Sequence, residues 1–497
     1  MTFDLAQLSA VVPLLIISGM ACLILLAETM VRGRSREGLM WLGVASCAAA
    51  LIALVAQWDD AATVRTVFQD MWIVDRMAIF LDGTFVVTAA VTLMLSTSYL
   101  REHDFEFGEF YGLVLFATAG MMMVAHASHL LMLLVAIETM SLAAYVLTGC
   151  WRRSARSSEG ALKYFLLGAF ATGFLVYGSA LVYGTTGGQM GYAQIASQAN
   201  AAARTPLFLI GFYFILIAMI FKVAAVPFHM WAPDAYEGAP TPATGLMAAG
   251  VKAAAIGGLV RLLGTAFASP FLATDGFGWV GVLSIVAFLS MTVGNLAALR
   301  QENIKRMLAY SSIAHAGYVM IGLPALGLGL EGAQPAILFY LAVYTFTTLG
   351  TFGVVAWVGR RGDERLFVDD WAGLGSARPA VALAMTLFLL SLGGVPPTGG
   401  FFGKFYLFRT AMEDPRLYWL VIAGVLNSVI SLYYYLRVVV AMYFRDPLRP
   451  HDAFPSTSMR VALVIAAIAV VALGVFPGAV VGWAGAVSAA AAKVAGL

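Results

Sequence analysis

The chain has 497 residues, 61% of them hydrophobic and only 11% charged, with a mean hydropathy of +0.87 and a formal net charge of +2. That is the composition of a membrane protein, and it leaves little chain for a soluble domain. The balanced charge excludes a charged tail and offers no footprint for nucleic acid, and the isolated Cys22, Cys47 and Cys150 form no C-x-x-C pair or His/Cys cluster able to hold a metal or an iron–sulfur cluster.

The first apolar run, 9–29, follows an acidic start at Asp4 and precedes the basic Arg32, Arg34 and Arg36. Without a basic n-region or a small-residue cleavage site it reads as a retained helix, not a signal peptide. No Arg- and Ser-rich transit peptide is present either, which points to a bacterial chain. Glu28 and Arg32, one turn apart at the end of this run, read as an interfacial ion pair, and the three cysteines as small buried hydrophobes.

Further apolar runs follow at 39–57, 77–99, 111–127, 129–149, 162–184, 206–226, 241–264, 278–298, 305–323, 335–358, 380–396, 418–443 and 460–481. At roughly 20 residues per crossing they predict an all-α polytopic protein of about fourteen transmembrane helices. Alternate loops hold Arg32/Arg34/Arg36, Arg152/Arg153/Arg156, Arg300/Lys305/Arg306, Arg360/Arg361/Arg365 and Arg445/Arg449, whereas the others hold little beyond Arg65, Arg204 and Arg416. The positive-inside bias then puts the basic loops in the cytoplasm and both termini in the periplasm of a bacterial inner membrane.

Two helices look broken. The seventh carries Pro227 after Phe221-Lys222-Val223-Ala224-Ala225-Val226, and the twelfth carries Pro396 and Pro397 within Gly393-Gly394-Val395-Pro396-Pro397-Thr398-Gly399-Gly400. Proline removes a backbone donor and glycine supplies the torsions of an unwound segment, and in lipid such breaks persist only where protein or water satisfies the freed groups. Setting Val226-Pro227 on Val395-Pro396 goes with matches of Tyr145–Gly149 to Tyr318–Gly322 and of Ala249-Gly250-Val251 to Ala423-Gly424-Val425. Helices four to eight therefore repeat as nine to thirteen. Five being odd, the copies run in opposite directions, the inverted repeat of transport proteins with sites near the midplane. The chain divides as 1–105 (helices one to three), 106–265 (first repeat), 266–445 (second repeat) and 446–497 (helix fourteen).

A charge at mid-bilayer costs about 2.5–3.5 kcal/mol even on the lenient insertion scale, so each one needs a reason. Glu138 lies about two turns inside the fifth helix, too deep for an interface anchor. Lys222 lies one turn before the first break, Lys252 deep in the eighth helix, and Lys404 where the chain resumes after the second break. Apolar surroundings disfavour the charged form of any such group, which makes it able to load and release a proton. The positions matching Glu138, Lys222 and Lys252 in the second half are Ser311, Ser391 and Leu426, so the halves share a scaffold but not their charges. Lys163, early in the sixth helix, either links Glu138 to Lys222 or reaches the interface. Lys305 and Arg306 read as positive-inside anchors. His315 is a relay candidate, its ordinary titration lying near neutrality, or it hydrogen-bonds a neighbour. His229, after the first break, is a candidate to cap freed carbonyls or relay a proton. His126 and His129 flank a tight periplasmic-side turn and read as solvated in preference to a proton port, and Asp82 has no assigned role.

The stretch Lys222 to Pro242, with Pro227-Phe228-His229-Met230-Trp231-Ala232-Pro233-Asp234-Ala235-Tyr236-Glu237-Gly238-Ala239-Pro240-Thr241-Pro242, resembles the seventh-helix signature of the antiporter-like subunits of proton-pumping NADH-quinone oxidoreductase, respiratory complex I. Tyrosine before Glu237, the Asn303–Ser312 stretch and lysine at Lys404 are most similar to the subunit N (mitochondrial subunit 2) branch, and the resemblance covers nearly the whole chain. It implies a fourteen-helix fold whose proton path is Glu138, Lys222, Lys252 and Lys404. It implies no redox centre in this chain: NADH, flavin, iron–sulfur clusters and quinone belong to partner subunits, and the partners are neighbouring antiporter-like and small membrane subunits. Two other readings fit the same residues, a cation/proton antiporter subunit of the same superfamily and a structural membrane subunit without its own path.

Overall fold

A segment that is apolar all round has no polar face to show to water, and it folds as a helix because only a helix satisfies its own backbone in lipid. The structure, a computed structural model, describes residues 5–30, 35–275, 278–360, 363–450, 456–478 and 480–486. In chain order its principal helices are α1 (Val12–Glu28), α2 (Glu37–Gln57), α3 (Arg76–Glu102), α4 (Glu109–His126), α5 (Leu130–Thr148), α6 (Ala155–Thr185), α7 (Pro206–Val223) and α8 (Trp231–Gly238). They continue as α9 (Thr241–Gly264), α10 (Trp279–Leu299), α11 (Ile304–Met320), α12 (Ala333–Val358), α13 (Pro379–Gly393), α14 (Gly399–Ala411), α15 (Tyr418–Phe444) and α16 (Thr457–Val475).

Among the described residues eleven helices are long and apolar enough to cross a membrane. The expected spans near 9–29 and 380–396 are the shorter apolar helices α1 and α13, and that near 305–323 is α11, 17 residues long. The fold is mostly helical, with one addition the sequence did not announce: β1 (Arg65–Val67) pairs antiparallel with β2 (Trp72–Val74) between α2 and α3.

Several helix starts are set by side chains that accept the first free amides. Asp75, His129, Ser154, Asn303 and Ser456 do so for α3, α5, α6, α11 and α16. The centre of the molecule is α9 with α12: the most apolar stretch of α9 is 100% buried and that of α12 94%, against 33% for α6 and 39% for α15. Close approach through small residues holds α10 on α11, since a Cβ on Gly317 would lie 2.6 Å from the Met291 nitrogen and one on Gly294 2.7 Å from the Ala314 nitrogen.

Both breaks lie where the sequence put them, and they share one local structure. α7 ends into Ala224 at φ 60° and α13 into Gly394 at φ 81°. In each the next amide reaches back five residues, Ala225 to the Ile220 carbonyl (3.2 Å) and Val395 to that of Leu390 (3.0 Å), the Schellman closure of a helix end. Laid on these bonds, Ala224 falls with Gly394 and Pro227 with Pro397, one residue along from the sequence setting of Pro227 on Pro396. A second irregularity was not foreseen. Met247–Val251, one wide turn of π-helix, sits in α9 immediately before Lys252.

Candidate functional site

Because α7 stops at Val223, the Lys222 side chain leaves the last turn of a helix whose end is buried in the protein. Its ammonium donates to Ser141 Oγ (2.8 Å) and Tyr145 Oη (3.1 Å) and stands 5.5 Å from the Tyr145 ring centre. Both partners lie on α5, one and two turns beyond Glu138. Glu138 itself accepts from Thr172 Oγ1 of α6 at 2.5 Å. It is half-buried, not enclosed as the sequence suggested, for it borders the exposed stripe of Leu131, Val135, Leu142 and Val146. Lys222 and Glu138 are neighbours through α5, not a direct ion pair.

Lys252, following the wide turn of α9, donates to the carbonyl and Oγ of Ser312 on α11, at 2.6 and 2.5 Å. Ser312 Oγ also accepts from Tyr344 Oη of α12 at 2.9 Å. One turn along α11 lies His315, whose Nδ1 is 2.6 Å from Tyr340 Oη and whose Nε2 is 3.2 Å from Tyr435 Oη. Tyr435 in turn bonds Ser311. Lys404, on α14, reaches back to the broken end of α13, donating to the Gly393 carbonyl (3.1 Å) beneath the Tyr318 ring, 4.5 Å from its centre. A cation over an aromatic face and against a freed carbonyl is held without a counter-charge. Among the described residues none of Lys222, Lys252 and Lys404 has a carboxylate within ion-pair distance, and all three are buried. Between His315 and the α13 break is a cavity of about 10 Å³ lined by His315, Tyr340, Tyr344, Thr347, Ser391 and Gly400.

Several side chains depart from their expected roles. Lys163, for which the sequence left a link between Glu138 and Lys222 or the interface open, is exposed and binds Asp234 and Glu159, each at 2.7 Å. Lys305 is no interface anchor: wholly buried, it donates to the Ala239 carbonyl (2.8 Å) beside Glu364 (3.6 Å). Arg306 clamps Asp234 (2.7 Å) and Glu237 (2.8 Å), so the acids of the seventh-helix signature are partners of α11. His126 is not solvated but buried against Asp82 (3.0 Å), whereas half-buried His129 caps α5. His229 is half-buried in the loop after α7, where its own carbonyl accepts from Ala232. Glu28 pairs with Arg36 at 2.7 Å; Arg32 lies outside the described residues. Of the cysteines, Cys47 is buried, Cys150 half-buried and Cys22 exposed.

The hydroxyls of Ser141, Tyr145, Ser312, Tyr340, Tyr344 and Tyr435 were missed, because a tyrosine or serine in an apolar run carries no charge to flag it. Also missed was Arg261, which grips Asp75 with two 2.8 Å bonds and the Ala125 carbonyl at 2.7 Å. Burial opposes ionisation of Asp75, but the guanidinium outweighs it and holds the carboxyl below its usual range. No group of His, Cys, Asp and Glu suited to a metal ion occurs among the described residues.

The family described as "NADH:quinone oxidoreductase/Mrp antiporter, TM" matches residues 127–431, which hold all four charged positions of the two breaks and their neighbours. NADH-quinone oxidoreductase subunit N of Trichlorobacter lovleyi is 45% identical over 479 residues, 96% of each chain. Subunit N 1 of Sorangium cellulosum is 49% identical over 412 residues, 82% of this chain and 81% of its own. A chain of respiratory complex I from Thermus thermophilus with bound aureothin superposes with a TM-score of 0.78 at 33% identity, covering 95% of this chain and 98% of that one. A chain of the Mrp complex from Dietzia shares the fold, with a TM-score of 0.81 at 20% identity. Buried, uncompensated lysines around two matched helix breaks and these likenesses along nearly the full length converge: the chain belongs to the NADH-quinone oxidoreductase subunit N family of antiporter-like membrane subunits.

Proposed function

We propose that this complex I membrane subunit translocates protons along Glu138, Lys222, Lys252 and Lys404, with His315 between the last two. The observation that carries the reading is that three ammoniums are buried with hydroxyls, carbonyls and rings as partners, and with no carboxylate in contact among the described residues. A structural lysine in lipid is ordinarily paired, since breaking even one buried pair costs about 3–5 kcal/mol. An ammonium bound only by neutral acceptors can give up its proton and leave each of them intact. Ser141 and Tyr145 lie on the same helix as Glu138, so a change in the charge of Glu138 reaches Lys222 through α5. On the far side, Ser312 and Tyr344 lead from Lys252 towards His315, and the cavity of about 10 Å³ beside it is of the size of one water.

The redox reaction belongs to partner subunits carrying NADH, flavin, iron–sulfur and quinone sites, with other membrane subunits of the complex as direct neighbours. The matched Schellman ends of α7 and α13 support an inverted repeat, with about fourteen crossings at roughly 20 residues each, and the basic loops support periplasmic termini in a bacterial inner membrane. In reconstituted complex, Lys222→Ala and Glu138→Ala are expected to lower the protons pumped per NADH oxidised while assembly holds. Unchanged stoichiometry in both would favour a structural subunit, and sodium-dependent transport would favour a cation antiporter.

A further inference from the structure

A second set of buried titratable groups, none on the lysine line, lies where α3, α4 and α9 meet the β1–β2 hairpin. Asp82 and His126 are 1% and 2% exposed. His126 Nε2 is 3.0 Å from Asp82 Oδ2, its Nδ1 is 2.5 Å from the Ile73 carbonyl, and its ring stacks on Trp72 of β2 at 4.2 Å. A carbonyl can only accept, so Nδ1 carries a hydrogen. Nε2 then faces a carboxyl in one of two ways: Asp82 is protonated and donates to it, or Nε2–H donates to the carboxylate. Either way one proton lies between the two residues and their charges sum to zero. Removing it would set a ring lone pair against a carboxylate.

We propose that Asp82 and His126 form a one-proton store on the hairpin side, through which protons leave for the periplasm; this rests on the proton-path reading above. Uptake of a proton from an ammonium leaves a neutral amine, a neutral Asp82 and an imidazolium, and release restores the original pair. Asp82 Oδ1 is buried with no hydrogen-bond partner among the described residues, so a face of the carboxyl is free to receive that proton. The other charged groups packed against the pair, Asp75 and Arg261, neutralise each other. Three residues beyond His126, His129 lines a polar cleft of about 330 Å³ with Gln69, Asp70, Tyr183, Gln189 and Gln194. Towards Lys252 the way is tight, a Cβ on Gly257 falling 2.6 Å from Leu81 and one on Gly258 2.9 Å from Val124. The store therefore faces the hairpin in this conformation, and filling it from the lysine line requires α9 to part from α3 and α4.

The test uses the assembled, reconstituted complex bearing Asp82→Asn, Asp82→Glu, His126→Gln or Lys252→Ala, with protons pumped per NADH oxidised and the infrared band of protonated carboxyls as readouts. Asp82→Asn and His126→Gln are expected to fall to the Lys252→Ala ratio with NADH oxidation retained, Asp82→Glu to keep most pumping, and a deuterium-sensitive carboxyl band to vanish in Asp82→Asn. Wild-type pumping in Asp82→Asn and His126→Gln beside a loss in Lys252→Ala overturns the store and leaves the lysine path standing. Wild-type pumping in all three overturns both. Should Asp82→Asn not assemble, Asp82→Glu must shift the carboxyl band, and an unshifted band overturns the store.

Discussion

His129 shows how a single side chain ties local structure to pH. Its Nδ1 accepts from the Leu131 amide at 3.2 Å, which requires a neutral ring with its hydrogen on Nε2. Burial holds the imidazole below its ordinary range, so below neutrality the folded chain binds fewer protons here than the unfolded chain. By linkage the cap's contribution is complete above about pH 6.5 and lost as pH falls through the lowered folded value. The protection of amides at the start of α5, measured against their base-catalysed intrinsic exchange at each pH, should fall on acidification in the wild type. In His129→Asn, whose amide caps without titrating, it should stay flat. Lys305 shows a comparable dependence on its surroundings. Its position at a helix start suggested an anchor, but whether a helix start meets water or protein depends on what packs over it, here the Ala239 carbonyl and Glu364.

At the scale of the element, the two broken helices solve one problem with different residues. Both need a left-handed residue after the last turn, and α13 uses Gly394 where α7 uses Ala224. A Cβ on Gly394 would lie 3.0 Å from Lys404 Cδ, whereas Ala224 is already accommodated. Gly394→Ala should therefore cost about 1–2 kcal/mol and push Lys404 off the Gly393 carbonyl. Ala224→Gly should change stability by under about 1 kcal/mol, relief of strain being offset by the freer unfolded chain. Thermal unfolding of the purified complex in detergent compares the two, and equal effects would count against left-handed strain at Gly394 as the source of the cost. That the elements break was legible in Pro227, Pro396 and Pro397. The matching register was not, because it is written in backbone hydrogen bonds at Ala225 and Val395 instead of in the prolines.

At the scale of the whole molecule, burial separates the inner helices from the outer ones. α9 and α12 are enclosed, while α6 and α15 present Phe165, Leu166, Phe170, Ile422, Leu426 and Val429 outward. Leu426, which the sequence sets opposite Lys252, is 59% exposed, so an ammonium there would face hydrocarbon or a partner's surface. The proposal that both termini are periplasmic predicts a labelling pattern. In a cysteine-free background, Arg153→Cys should react with an impermeant maleimide only after the membrane is opened, and Arg416→Cys should react in intact cells. The reverse pattern would invert the topology.

A helical membrane protein, its two breaks and its four isolated charges were legible in the chain, since apolar runs, prolines and lone charges act through local rules that the bilayer makes strict. What those charges touch depends on how the helices pack. Hydrogen bonds reach just a few ångströms, and the partners of Lys222, Lys252 and Lys404 come from helices remote in the chain or from a turn that the break folds back. For the same reason Asp82 and His126, 44 residues apart, became a pair only when α3 and α4 were packed together beneath the hairpin.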